Sequence, residues 1–530
     1  MGMPLCDNKK NQFLEASTTM ELSNQNLYLS MLWCLIFIII VLKLISTRSN
    51  KPNPPPCPPK LPFIGNLHQI TGTLTQISLR SLSQKYGPLM LLHFGQIPTL
   101  VVSSANLVRE MATTNDVVFS SRPSMTVARI FYYGCKDLSF SPYGEDWKYK
   151  RKLSIIEFLS SKKVRSFQLI REEEVANLVN KIPEACRKNI PVNLIKMLVA
   201  TSGNIHCRCV FGHKYETLDG KSSRLEELVM DLMHHFGEFS FGDFFPSLWW
   251  MDFVTGLIPR MKANFRELEA FIDKEIQQHK GGKMNIENKD FVDCMLQLQH
   301  EDDTPNVGLS LPSIKTLILD MVAGGWETTS TAIEWVMAEL MKNPEKMKKA
   351  QEEVRRVVGN KPKIEENDVN QMSYLRCVVK ETMRLHPPGP LLLARKTDGS
   401  VKLGGYDIPP KTRVIVNAWA IQRDPDVWER PEEFTPERFE NSEVDFKGQD
   451  FELIPFGFGR RVCPGILFSV ASIEYTLVNL LYWFDWKLPD NNNGTKDESG
   501  KDIDISETKG MLAAMKLPLL LQPVPYCPKT

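Results

Sequence analysis

One cysteine constrains this chain more tightly than any other residue. It stands near the C-terminus in Pro455-Phe456-Gly457-Phe458-Gly459-Arg460-Arg461-Val462-Cys463-Pro464-Gly465. An apolar helical run follows through Ile466, Leu467, Val470, Ile473, Leu477, Leu480 and Leu481. Glycines let the backbone turn tightly and approach a flat ligand closely. A cysteine entering a helix has its thiolate stabilised by the N-terminal amides, and Arg460 and Arg461 add positive charge. The pattern is a seat for a metal-bound thiolate, with an inert buried cysteine in a Gly-rich turn as the competing explanation. Structural zinc is disfavoured, because no partner sulfur stands at finger spacing.

The run fits the signature Phe-x-x-Gly-x-Arg-x-Cys-x-Gly at Phe456, Gly459, Arg461, Cys463 and Gly465. In this it resembles the cytochrome P450 family; five fixed positions have a chance expectation on the order of 10⁻⁴. Glu381-Thr382-Met383-Arg384 resembles the family's Glu-x-x-Arg helix. Alone it says little, since Glu352 with Arg355 and Glu353 with Arg356 share the spacing. Its context supplies the specificity: Leu385-His386-Pro387-Pro388 ends the helix, and Phe434-Thr435-Pro436-Glu437-Arg438-Phe439 follows. The resemblance implies a mostly α fold with a minor β region, the cytochrome P450 fold, preceded by one N-terminal transmembrane helix. It implies haem b with Cys463 as axial thiolate, in a binding loop that includes Phe456 and Arg461. It further implies haem contacts from Trp147, Arg151 and Arg395, and a buried network of Glu381, Arg384 and Arg438 supporting the loop. The plant A-type group is the nearest in pattern.

A second helix-like stretch runs from Ser313 to Asn343, about 45 Å at 1.5 Å per residue, and is stopped by Pro344. Lys315, Asp320, Glu327, Glu334 and Glu339 exclude a membrane span there. Its middle, Gly324-Gly325-Trp326-Glu327-Thr328-Thr329-Ser330-Thr331, is weak where a helix is expected to be strong. One explanation is a tight helix crossing, with hydroxyls bonding back to carbonyls. The resemblance implies another: Glu327 and Thr328 relay protons to dioxygen. Trp326 departs from the small residue usual at its position, so its indole either reshapes the pocket or faces away. Cys57 and Ala394 are further departures. The family's substrate regions fall on 124–133, 391–394 and 510–513, where Val127, Phe131, Leu392 and Leu512, together with Trp326, are expected to line an apolar pocket.

From Leu27 to Ile45 the chain is nearly all apolar, broken by Ser30 and Lys43. That length spans roughly 28 Å as a helix, close to a hydrocarbon core. A cleaved signal peptide competes, but a long polar lead precedes the stretch and no small-residue cleavage site follows. Lys43, Arg48, Lys51 and Lys60 place the bulk of the protein in the cytosol. Residues 1–26 are thus expected as a lumenal lead, 27–45 as the transmembrane anchor, 46–66 as a basic and proline-rich hinge, and 67–530 as the cytosolic haem-thiolate catalytic domain.

Charge and cysteine content narrow the partners. Lys and Arg number 64 against 63 Asp and Glu, with no sustained basic block, so no nucleic-acid partner is expected. The chain's 11 cysteines in 530 residues are too sparse for a disulfide scaffold, which excludes a small secreted module. His206-Cys207-Arg208-Cys209 is assigned to ordinary core and surface. Lys148, Lys150, Arg151, Lys152, Lys162 and Lys163 form a basic face that resembles the surface docking an acidic reductase. The expected function is an endoplasmic-reticulum monooxygenase, anchored in the lipid bilayer. It would activate O2 with electrons from NADPH through NADPH-cytochrome P450 reductase and oxidise an apolar plant specialised metabolite (a terpenoid, alkaloid or phenylpropanoid). The same haem chemistry used for oxidative cyclisation or desaturation is the alternative. A non-catalytic haem binder for electron transfer or sensing is the alternative from a different class.

Overall fold

Amphipathic runs separated by glycines and capping residues dictate a helical body with small sheets. The computed structural model describes residues 31, 33–38, 53–214, 223–281, 289–301, 309–489 and 503–527. Its elements begin with α1 (Thr75–Tyr86), the hairpin β1 (Leu89–Phe94) and β2 (Ile97–Val102), α2 (Ala105–Thr113), α3 (Thr126–Phe131) and α4 (Glu145–Ser154). Next come α5 (Gln168–Lys188), β3 (Val192–Asn193), α6 (Leu194–Phe211), α7 (Arg224–Gly237), α8 (Leu257–Gly281) and α9 (Phe291–Glu301). The last part holds α10 (Leu311–Lys342), α11 (Pro344–Val358), α12 (Ser373–Leu385), β4 (Arg395–Lys396), β5 (Arg413–Val416), α13 (Ile466–Trp483), β6 (Phe484–Lys487) and β7 (Leu520–Pro525). The expected mostly α fold with a minor β region is what forms.

One sheet has the order β1-β2-β5-β4, with β2 and β5 parallel in the register Thr99 to Arg413 and Val102 to Val416. Antiparallel pairing of β4 with β5 sets Arg395 opposite Val414 and fixes where that arginine points. A second sheet, β3-β7-β6, joins Val192–Asn193 to two strands from the C-terminal part of the chain.

The chain divides into a small unit, Met1–Pro54 with Gly405–Asp407, and a large one holding the remainder. In the small unit, residues 31 and 33–38 are helical, and Met31, Trp33, Leu35, Phe37 and Ile38 are exposed. The rest of the apolar stretch 27–45 and the lead 1–26 lie outside the described residues. Among the described residues, α13 is the helix long and apolar enough to cross a membrane. Ile473, Leu477 and Leu480 on it are wholly buried, so it serves as core.

Of the stretch expected as a hinge, 46–66, residues 46–52 lie outside the described residues, and those from Pro55 on bond into the large unit. Proline carbonyls remain good acceptors. The Leu91 N–H donates to Pro56 O at 2.9 Å, and the Asn66 amide donates to Pro58 O and Pro59 O at 3.3 Å. Asn66 is fully buried and also accepts from the His93 N–H at 2.8 Å. Residues 55–66 therefore belong to the large unit.

The core is organised on α10, buried along most of its length. Ser310 caps its first turn by accepting the Ser313 N–H at 3.3 Å, and Asn343 ends it before Pro344. α10 interlocks with α6 through two glycines. A Cβ on Gly203 would lie 2.2 Å from the Trp326 ring, and a Cβ on Gly325 would lie 1.9 Å from His206 Nε2. Each helix receives a ring of the other where it carries no side chain. The tight crossing expected from the sequence is thus real at Gly325. Hydroxyls also bond back as expected, Thr328 to Gly324 O at 2.8 Å and Ser330 to Trp326 O at 2.9 Å. Gly324 plays no part in the crossing, for nothing lies within 4 Å of its Cβ position.

Gly325→Ala should lower the thermal midpoint, since overpacking costs about 1–3 kcal/mol. Gly324→Ala should leave it unchanged. Melting curves of the two purified variants followed by circular dichroism check this contrast.

Candidate active site

The thiol that organises the sequence lies at the wall of a cavity of about 320 Å³. Pro455–Gly457 and Cys463–Gly465 form one side of it, and Ala323, Gly324, Thr328 and Thr329 of α10 another. Cys463 is the one cysteine on that wall among the described residues. Its N–H donates to Phe456 O at 2.8 Å, closing the loop on itself. The loop turns at Gly457 and Gly459, whose φ of 78° and 61° favour glycine. Burial raises the Cys463 thiol above its ordinary value, opposed by the Gly465 N–H and the Arg151 charge.

The charge near the thiol differs from the expectation. Arg460 is half-exposed and pairs with Asp116, Nε to Oδ2 at 2.9 Å, so it turns outward. Arg461 is buried and donates to three carbonyls, those of Ser120 (2.6 Å), Leu138 (3.1 Å) and Ser141 (2.5 Å). Arg151 is the cation next to the thiol, and its Nη2 donates to Val462 O at 2.7 Å.

Four arginines, Arg122, Arg151, Arg395 and Arg461, reach the cavity wall. Arg122 donates to Ser139 O at 2.9 Å and Leu393 O at 2.5 Å, and Arg395 to Phe458 O at 2.7 Å. Among the described residues none of the four has a carboxylate ion pair. Burial lowers all four pKa values, Arg395 to about 10 and Arg461 to about 9, and mutual repulsion adds to the effect at Arg122 and Arg461. Buried charge without a counter-charge is costly. A ligand that brings carboxylates into this cavity relieves that cost, and haem carries two propionates beside the iron that a thiolate would hold. The residues present fit the group. Arg122 escaped the sequence analysis, since Ser121-Arg122-Pro123 carries no spacing signal. Trp147 does not reach the wall; its Nε1–H donates to Leu138 O at 3.0 Å, and its ring lies 4.1 Å beneath the Arg461 guanidinium.

Behind the cysteine loop, Glu381 and Arg384 are completely buried. Arg384 Nε and Nη2 donate to the two carboxylate oxygens at 2.7 and 2.9 Å, and Arg438 Nε donates to Glu381 Oε1 at 2.9 Å. Gln422 extends the network, a role the sequence did not signal. Its amide donates to Met383 O and Arg384 O at 2.9 Å, and its oxygen accepts the Ile454 N–H at 2.8 Å, just before the loop. Asp320 is a second such residue. From α10 it accepts the Leu138 N–H at 2.7 Å and the Ser139 hydroxyl at 3.0 Å, holding the carbonyl that receives both Arg461 and Trp147.

On the side formed by α10, Thr328 lines the cavity while Glu327 stands next to it on the helix, off the wall. Burial raises the Glu327 pKa, and among the described residues its carboxylate has no ion pair. Of the expected pocket residues, Leu392 and Leu512 reach the wall; Val127, Phe131 and Trp326 do not. Trp326 turns into α6, where its Nε1–H donates to Val199 O at 2.9 Å. Phe131 packs edge-on against Phe265, ring centroids 5.8 Å apart, and Tyr132 takes the wall position instead. Adjacent helical residues point about 100° apart, so the right segment supplies the wrong side chains when its rotation is unknown. His206, assigned to the core, is buried there and touches the cavity edge, with its pKa lowered to about 4 mainly by burial. The basic face is also smaller than expected. Lys150 is buried on Asp146 at 2.7 Å and Arg151 on Val462, leaving Lys148, Lys152 and Lys162 exposed.

A half-buried thiol facing buried arginines that no carboxylate pairs with directly, beneath a glycine gap in a long helix, defines a haem-thiolate protein. The Cytochrome P450 family model matches residues 55–512, and the chain belongs to that family. It is 49 % identical to phenylacetaldehyde oxime monooxygenase CYP71AN24 of Prunus mume over 97 % of both chains. It is 44 % identical to desmethylyatein synthase of Sinopodophyllum hexandrum, over 92 % of this chain and 97 % of that one. Strychnine-11-hydroxylase of Strychnos nux-vomica is 43 % identical, over 92 % and 94 %. Among solved structures, a zebrafish cytochrome P450 with abiraterone matches with a TM-score of 0.73 and 26 % identity, over 85 % of this chain and 99 % of that one. The chain is accordingly a P450 monooxygenase that binds haem b through a cysteine thiolate. This displaces the non-catalytic alternative.

Glu381→Gln should yield protein depleted of haem. Removing one partner of a buried ion pair costs about 3–5 kcal/mol, and here it strands Arg384 and Arg438. Haem content per protein, measured after purification with haem supplied during expression, checks this.

Proposed function

We propose that this enzyme is anchored in the endoplasmic-reticulum membrane and oxidises an apolar plant specialised metabolite, with electrons from NADPH through NADPH-cytochrome P450 reductase. The observation that carries the proposal is the cavity, which puts the Cys463 thiol opposite Gly324 and Thr328 within a mainly apolar wall. The names of the plant relatives support the substrate class.

When bound, haem supplies the activation of dioxygen. The chain's own residues set the conditions for it. Cys463 provides the thiolate. Arg122, Arg151, Arg395 and Arg461 would hold the propionates, and Trp147 supports Arg461 from below. Gly324 leaves room on the side facing the thiol. Thr328 holds a proton at Oγ1, which bonds to Gly324 O in this structure. Glu327, whose pKa burial raises, stands next to it on the helix to replenish that proton. Phe236, Met233, Leu392 and Leu512 exclude water and favour an apolar ligand.

Exposed apolar side chains support the membrane assignment. Besides those at 31–38, Phe63 is 91 % exposed, and Trp249, Trp250, Phe253 and Val254 form an exposed run on the large unit. Lys148, Lys152 and Lys162 offer the reductase a reduced but positive face.

Reductase-supported turnover of host-tissue extracts under heavy-isotope dioxygen, analysed by mass spectrometry, should give a product carrying the label. A product that has lost hydrogen without gaining label would replace oxygen insertion by cyclisation or desaturation. In the same assay Thr328→Ala should consume NADPH with product falling at least about tenfold, as expected for loss of a proton donor. Tight coupling in that variant would remove the role given to Thr328. Cys463→Ala should abolish the thiolate signature in the carbon monoxide difference spectrum.

A further inference from the structure

We propose that His386 is a positioning residue for the substrate, holding the C-terminal loop 503–519 so that Met511 and Leu512 stay against the cavity. The proposal rests on the assignment of that cavity as the substrate pocket. His386 follows the last residue of α12, in the Leu385-His386-Pro387-Pro388 run, and the chemistry described above leaves it without a task.

The ring is buried and stacks on Trp335 of α10, nearly parallel, with centroids 3.9 Å apart and 3° between planes. Its Nε2 lies 2.8 Å from Glu339 Oε1, one turn further along α10. Its Nδ1 lies 3.7 Å from Glu507 Oε1 of the loop, within ion-pair range when the ring is protonated and too long for a hydrogen bond. The second oxygen of Glu507 accepts from Gln76 Nε2 of α1 at 2.6 Å. Burial alone would raise both carboxyls, yet His386, together with Arg423, holds Glu339 and Glu507 below the usual carboxylate range.

Trp335, on which the His386 ring is stacked, fastens the loop by its indole edge. Trp335 Nε1–H donates to Ala513 O at 2.7 Å, and the Ala513 N–H donates to Pro388 O, two residues past His386, at 2.9 Å. The Thr508 N–H to Ala514 O and the Lys516 N–H to Ser506 O, both 2.8 Å, fold the segment back on itself. Beyond it the Leu519 N–H donates to Glu334 at 3.1 Å. Met511 and Leu512 are the tip of this fold, and both lie on the cavity wall. By holding Trp335 and the chain at Pro388 in place, His386 ties one face of α10 and the end of α12 to the loop that shapes the pocket.

The test uses the holoenzyme and Glu507→Gln, which removes the loop's charge while keeping an acceptor for Gln76 and leaving Glu381 and Arg384 untouched. Amide hydrogen exchange should quicken at Ala513 and Lys516 by about tenfold, as local opening becomes easier. Clotrimazole, bulky enough to meet the loop, should bind about tenfold more weakly, while imidazole, which meets little beyond the iron, should change less than about twofold. The carbon monoxide spectrum should keep its thiolate form. His386→Gln should show the same pattern; where that variant loses haem, Glu507→Gln decides the matter. Unchanged exchange overturns the proposal, as does faster exchange with unchanged clotrimazole affinity, or equal weakening of both azoles. Failure of clotrimazole to bind the unaltered enzyme would instead defeat the pocket assignment, and exchange would still decide whether His386 fastens the loop.

Discussion

Burying a guanidinium without a carboxylate is the constraint from which the rest of the site follows. Arg122, Arg395 and Arg461 are each sealed from water and satisfied by backbone carbonyls alone, which neutralise hydrogen-bonding capacity but not charge. Carbonyls must therefore come from several segments at once, and those segments must be held in place. Leu138 illustrates the dependence. Its oxygen receives Arg461 and Trp147, its nitrogen is held by Asp320 of α10, and a shift of that one peptide would disturb all three. The charge left over draws an anionic ligand to a wall whose other side is a thiol.

The opposite side obeys a packing constraint. α6 and α10 approach so closely at Gly203 and Gly325 that rings of each helix occupy the other's missing side chains. That interlock fixes the rotation of α10, and rotation decides which consecutive residues face inward. Gly324 and Thr328, four apart, share the cavity side, whereas Trp326 is carried into α6. Two neighbouring glycines with the same sequence appearance hence do different work. One is required by a neighbour, the other by empty space.

Much of this was legible in the chain. The cysteine loop, the Glu381–Arg384 pair with Arg438, and α10 with its weakened centre stand where their motifs placed them. Motifs report backbone geometry reused with fixed spacing, and such features survive in the order of residues. What escaped was set by tertiary neighbours. Arg122 and Gln422 act through carbonyls of distant segments, and no local pattern marks a residue for that. Val127 and Phe131 lie in the segment expected near the pocket but on its other faces, because a six-residue helix offers too few positions to set its phase from hydrophobicity alone. Arg460 and Arg461, adjacent and chemically identical, separate into a surface pair with Asp116 and a buried anchor. Their difference comes from the φ of 61° at Gly459 and the turn it starts.

The buried arginines also tie the lifetime of the polypeptide to supply of its prosthetic group. An anion that binds the folded state and not the unfolded one raises stability with the logarithm of its free concentration. A chain made while haem is scarce carries the full desolvation cost at the cavity and spends more time open to proteases. In a cell the amount of this enzyme would then follow haem synthesis as well as its own transcription, so that cofactor shortage thins the enzyme population instead of leaving a reservoir of inactive protein.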